Sequence, residues 1–296
     1  RYDAWDLEAW TPGLAKPLLS PSHVEVVDHG PLIGRVRVHY SFAPSTATVT
    51  YTMRAGSARL DIGVAFDWQH DEHLLSIAFP LDVRAETAAC DIQFGHVHRP
   101  THPSNSWDAA KFEVCAHRYV DLSEPDFGVA VLNDGRYGHG LFGGRVRVSL
   151  ARAARYPDPN ADRGEHAVNL ALFPHGSGLN EVVAEAQRFN HPLKVVSGSA
   201  IGAAPAPIVS LVGEGVEIDA IKPADDDPDD IIVRLHESVG NRTRITIGSN
   251  RRILAASRCN LLEEPQSGLE VGDGICALTI RPFELVTLRL TRLIAP

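Results

Sequence analysis

The chain is poor in the features by which many sites announce themselves. Its four cysteines, Cys90, Cys115, Cys259 and Cys276, are far apart and form no C-x-x-C unit, which argues against a zinc ribbon. Buried free thiols in a reducing compartment are the default for such spacing. No apolar run approaches the roughly eighteen residues that a membrane span needs. Positive charge is not in excess: 28 Lys and Arg face 37 Asp and Glu, for a net charge of −9. Phosphate backbones need a concentrated basic surface, so nucleic acid is not an expected partner. There is no G-x-S-x-G elbow and no phosphate loop. The chain opens on Arg1, without an initiator methionine or a signal-peptide pattern, and runs straight into "RYDAWDLEAW". It is expected to be a fragment of a longer polypeptide.

What is present is strand. Hydrophobic residues make up 44% and charged residues 22%, enough for a sizeable core in two domains or one large all-β domain. "GRVRVHYSF" alternates Val36, Val38 and Tyr40 against Arg35, Arg37 and His39, the period of a half-buried strand. "TATVTYTMRA" and "ARLDIGVAFDW" continue the pattern around an Ala55-Gly56-Ser57 turn, and "RVRVSLAR" and "AVNLALFPH" repeat it. One helix is expected over "EVVAEAQRF", capped by Asn180 and ended by Pro192. "SGSAIGAAPAP", Ser197 to Pro207, reads as a linker or crossing segment. Beyond it, strands from "IVSLVG" to "FELVTLRLTRL" suit a smaller immunoglobulin-like sandwich.

Several clusters invite chemistry. His96 and His98 share a strand face and His102 follows, so three imidazoles could hold zinc, but no spacing enforces it and polar edge residues are the commoner use. "HDEH", His70 to His73, lacks metalloprotease spacing. In "DPNADRGEH", Asp158, Asn160 and Asp162 match the start of a calcium loop. The sixth position is Arg163 instead of glycine and the twelfth is Asn169 instead of glutamate, which favours a turn-rich loop. "ADDDPDD", Ala224 to Asp230, reads as a solvated acidic loop. Among the carboxylates Asp108, Glu113, Asp121, Glu124 and Asp158, spacing selects no glycosidase pair.

One long stretch is specific. "FGHVHRPTHPSNSWDAAKFEVCAHRYVDLSEPDFGVAVLNDGRYG" closely resembles the carboxyl-terminal region of class II α-mannosidases, glycoside hydrolase family thirty-eight, in its cytosolic, vacuolar and bacterial branch. "DAWDLEAW", "AFDWQHDEHLLSIAFPLDV", "SLARAARYPDPNADRGEHAVNLALFPH" and "IKPADDDPDDIIVRLHESVGNRTRITI" match further segments in order. His98 stands where the family usually has glutamate, and Pro103 where a basic residue is common.

The resemblance implies an all-β fold: a large galactose-mutarotase-like supersandwich over residues 1–200 and a small immunoglobulin-like sandwich over 205–296. It implies the non-catalytic part of a retaining exo-α-mannosidase, with zinc and the catalytic carboxylates on an amino-terminal domain and no cofactor in this chain. The implied partners are that catalytic domain and an α-mannoside, in a cytoplasmic enzyme with homo-oligomerisation left open. Arg152 is the leading candidate for the substrate-pocket edge, with Trp5, Asp6, Arg99, His102 and Asn105 behind it; packing or inter-domain bonding competes for each. The rival class is a stand-alone carbohydrate-binding or structural sandwich, which an exposed aromatic platform would favour.

Overall fold

The computed structural model of the chain describes residue 4, residues 7–198 and residues 206–292. Most of the expected linker, and Trp5 and Asp6, lie outside the described residues. Strands dominate, as the alternation predicts for an all-β chain. The chain divides into two compact units, residues 1–92 with 97–192 and residues 93–96 with 193–296.

The first unit begins with β1 (His23–His29), β2 (Ile33–Phe42), β3 (Ser45–Arg54) and β4 (Leu60–Trp68). β5 (Leu75–Pro80), β6 (Thr87–Ile92) and β7 (Gly95–Pro100) follow, then a one-turn helix α1 (Ser106–Ala109). β8 (Val114–Cys115), β9 (Tyr119–Ser123), β10 (Gly128–Asn133), β11 (Gly138–Phe142), β12 (Arg145–Ala151) and β13 (Gly164–His175) lead to α2 (Asn180–Asn190). Nine strands form one sheet in the order β1-β2-β3-β4-β13-β10-β9-β6-β7, and β5-β12-β11-β8 form a second.

The two sheets share one core. Ile62, Val64, Phe66 and Trp68 point inward from β4 at period two, against Phe79 of β5, Leu141 of β11 and Val146, Val148 and Leu150 of β12. Each such side chain contributes about 1.5–3 kcal/mol by leaving water. The larger sheet is wider than its cover. At its margin Val24 and Val26 of β1 and Val36 of β2 lie on neighbouring strands and remain exposed, at 52%, 63% and 36%. The sheet's other face carries α2, which packs on β9, β10 and β13 through Val182, Val183 and Ala186. Arg59 pins that helix, donating to Glu185 at 2.7 Å and lying over the Phe189 ring. The expected asparagine cap is corrected: the N-cap is Leu179 and Asn180 is the first helical residue, with no side-chain capping bond.

In the second unit β14 (Val209–Val212), β15 (Val216–Pro223), β16 (Ile231–Glu237), β17 (Thr243–Ser249) and β18 (Ile253–Cys259) come first. β19 (Pro265–Leu269), β20 (Val271–Gly272), β21 (Ile275–Ile280) and β22 (Leu285–Arg292) complete it. Sheets β14-β17-β21-β20 and β15-β16-β22-β18-β19 face each other across Val233, Leu235, Leu288, Ile245, Ile247 and Leu278. Glu237, 0% exposed, ends β16 and closes one end of this sandwich. Its carboxylate accepts four backbone N–H groups: Val239 (3.1 Å), Gly240 (2.8 Å), Asn241 (3.0 Å) and Phe283 (3.0 Å). Two loops therefore hang on one side chain. Glu237→Ala would leave those donors unpaired, and we expect it to lower stability by about 3 kcal/mol or more. Urea unfolding checks this; an unmoved midpoint would refute it.

Candidate functional site

In the first unit the second sheet opens into a cleft of about 580 Å³. Leu7, Leu74, Phe112 and Leu150 supply its apolar wall. Its polar lining is Glu113, Arg136, Tyr137, Ser149, Arg152 and Asp162. Glu113, just before β8, takes Ser149 Oγ at 2.8 Å and Arg147 at 3.0 Å, two residues that share a face of β12. Gly138 on β11 makes room for it, because a Cβ there would collide with the Glu113 carboxylate.

Among the described residues, Arg152 brings an unspent donor to the cleft. Its Nε is buried with no hydrogen-bond partner among the described residues, and no described carboxylate forms an ion pair with its guanidinium. Asp162 binds its backbone instead: one oxygen, Oδ2, accepts Arg152 N–H at 2.8 Å and Ala153 N–H at 2.9 Å. An unpaired arginine in a partly polar cleft can donate to sugar hydroxyls or meet a carboxylate.

The glycosyl hydrolases family 38 C-terminal domain matches residues 1–160, more than half of the chain. The chain belongs to that family. The family's C-terminal beta sandwich domain matches residues 215–288 as well. Among curated proteins the chain is 34% identical over 306 residues to alpha-mannosidase G of Dictyostelium discoideum, covering 97% of this chain and 28% of that protein. It is 32% identical to alpha-mannosidase 2C1 of Homo sapiens, covering 98% and 29%. The alpha-mannosidase of Saccharomyces cerevisiae is 30% identical, with 98% and 30% covered. The chain thus spans less than a third of the relatives it matches. The crystal structure of an alpha-mannosidase from Enterococcus faecalis V583 superposes with a TM-score of 0.77 over 90% of this chain and 35% of that one, at 18% identity, a likeness of fold.

Of the pocket-edge candidates among the described residues, the cleft gathers Arg152 alone, while Glu113 and Asp162, singled out for other chemistry, line it as well. Arg99 lies on β7 beside the Cys90 thiol, with its Nε buried. His102 is exposed and bonded to Ser104 Oγ at 2.7 Å. Asn105 caps α1, accepting Asp108 N–H at 2.9 Å. Trp107 of α1 is 81% exposed, while Trp68 is in the core. No three His, Cys, Asp or Glu side chains gather as a metal set among the described residues. Asp158 makes a local turn, accepting Asn160 N–H at 2.9 Å. The acidic loop is spent on cations of its own chain: Arg289 donates to Asp226 and Asp230, which also raises its pKa. Cys90, Cys259 and Cys276 are buried, and burial pushes the Cys90 thiol up to about 12. Cys115 is exposed, against the expectation of four buried thiols.

Sequence reasoning missed Glu113, Tyr137 and Ser149 as neighbours. The available signal was Arg147 and Ser149 two apart on "RVRVSL", a polar pair on one strand face.

A second ionisable cluster is structural. His175 Nε2 lies 2.8 Å from Asp121 Oδ1, its Nδ1 lies 2.7 Å from Gly176 O, and Ser123 Oγ donates to Asp121 Oδ2 at 2.6 Å. Both ring nitrogens face acceptors, which favours the imidazolium. Burial opposes that charge, yet the hydrogen bond and charge of Asp121 outweigh it and raise the His175 pKa. A histidine with a raised folded pKa stabilises fully below the unfolded value, about 6.5, and loses that contribution as pH climbs through the folded value. The stability difference between wild type and His175→Gln should therefore be largest below about pH 6.5 and shrink above it. Urea titrations from pH 5.5 to about 9 read this directly, and a constant difference would contradict it.

Proposed function

We propose that this chain is the C-terminal, non-catalytic part of a retaining, zinc-dependent exo-α-mannosidase. Residues 1–200 and 205–296 are its two sandwich domains in this reading. They support the catalytic domain, and the cleft of the first borders the substrate pocket. The observation that carries it is Arg152: a guanidinium without an anionic partner among the described residues, in a cleft of a chain whose relatives are α-mannosidases over 97–98% of its length. In this reading zinc belongs to the remainder of the enzyme; among the described residues no three suitable side chains converge to hold it. Retaining chemistry needs two carboxyl groups about 5–5.5 Å apart, one as nucleophile and one as acid then base. Glu113 is not offered as either, because Arg147 and Ser149 already occupy its oxygens.

The role left to this chain is to hold Arg152 where it donates to sugar hydroxyls or to a carboxylate of the catalytic domain. A cytoplasmic setting agrees with four free cysteines. No described helix is long and apolar enough to cross a membrane.

Two measurements test the proposal. In the parent enzyme Arg152→Ala should lower kcat/KM roughly tenfold to a hundredfold, about 1.4–3 kcal/mol of transition-state binding, with little change in Tm because no described carboxylate pairs with the side chain. Normal kcat/KM in the folded variant ends the pocket reading. The isolated chain should release no product from a chromogenic α-mannoside; turnover that scales with its concentration would place the catalytic groups here after all.

A further inference from the structure

The segment that looks like a failed calcium loop has another use. From the geometry around Arg152 we infer that Asp162 is a positioning residue, which sets the guanidinium in the cleft by fixing the backbone that carries it; this rests on the reading of the cleft given above. β12 ends at Ala151, so the Arg152 and Ala153 amides leave the ladder with no strand partner. Both donate to the same Asp162 oxygen, at 2.8 and 2.9 Å. Ala153 has φ +50, a left-handed conformation that an alanine holds only when its surroundings dictate it. Its carbonyl is also fixed, accepting Glu72 N–H at 2.9 Å.

Asp162 is anchored in turn. Its own φ is +59, and its carbonyl accepts His166 Nε2–H at 2.8 Å. The His166 ring stacks on Phe66, with centroids 4.8 Å apart, and Phe66 belongs to the sandwich core. Arg163 adds an outer brace by donating to Asp71 at 2.5 Å, beside Glu72. An unbroken chain of contacts thus runs from the core through Phe66, His166 and Asp162 to the backbone of Arg152. The clamp needs one acceptor atom in one place, and a net charge is secondary.

That distinction supplies the test, made in the parent enzyme. Asp162→Asn keeps an acceptor oxygen at the same reach and removes the charge; Asp162→Glu keeps the charge and moves the oxygen by a methylene. We expect Asp162→Asn to lose several-fold less kcat/KM than Asp162→Glu, and Asp162→Glu to lose most of what Arg152→Ala loses. Combining Asp162→Glu with Arg152→Ala should give no loss beyond Arg152→Ala alone, since both act through one group. A purely electrostatic role predicts the reverse order for Asn and Glu and overturns the inference. Wild-type kcat/KM in folded Asp162→Glu beside an impaired Arg152→Ala overturns it too, as do multiplicative effects in the double variant. Wild-type kcat/KM in Arg152→Ala overturns the reading of the cleft and the positioning role with it.

Discussion

Hydrogen bonds from loop backbone to carboxylate oxygen hold this protein's sheets in usable shape. Between paired strands the ladder satisfies the N–H groups that face a neighbour, but each loop that leaves a sheet carries donors with no ladder partner, and an unpaired buried donor costs about 1–3 kcal/mol. Glu237 takes four of them and closes an end of the smaller sandwich. Asp91 takes Arg118 N–H as well as the Arg118 guanidinium. Glu124 takes Arg84 N–H, Asp134 takes Asn169 N–H, and Glu284 takes Arg281 N–H. Several of the chain's carboxylates are therefore occupied by its own backbone, some buried, as Glu237 and Asp91 are, and some at the surface, as Asp134 is. A surplus of carboxylates in a loop-rich β protein need not signal a cation or a basic partner.

The strands were largely legible because burial on one face writes a period-two pattern, which β3 and β4 carry plainly, whereas β2 alternates in sequence but is only partly covered and leaves Val36 exposed. The smaller sandwich was equally readable from β16 and β22. The helix was found but its cap was not: an asparagine before an amphipathic run has the right chemistry, and only backbone dihedrals decide whether it sits at the cap or one position inside. The cleft was legible only at Arg152. Glu113, Tyr137, Ser149 and Asp162 lie on four separate segments, and pairing registers that a linear pattern cannot encode bring them together. The carboxylates of "DPNADRGEH" were noticed for alternate spacing, which is shared by ion-binding loops and loops that bind their own amides. Local sequence cannot separate those two uses, because the deciding atoms are backbone N–H groups elsewhere in the chain.

The same dependence on distant partners governs the buried histidines. His175 sits between two acceptors and is pushed toward its cation, whereas burial holds His139 down to about 4, with Nδ1 near Tyr137 O. Lowering the pH through about 6.5 toward 4 thus strains the site of His139 while leaving that of His175 satisfied. Two imidazoles in one sandwich respond oppositely to acid, and nothing in their flanking residues distinguishes them.

The sheet that outgrows its cover has a practical consequence of a different kind. β1 is a terminal strand of the nine-stranded sheet, and Val24 and Val26 stay exposed on it beside Val36. A terminal strand offers unpaired backbone groups, and an apolar stripe on it offers a second copy a reason to stay. For the chain handled alone, this margin is a place where a second copy could add a strand. Lysine at Val24 or Val26 would raise solubility there without touching either core.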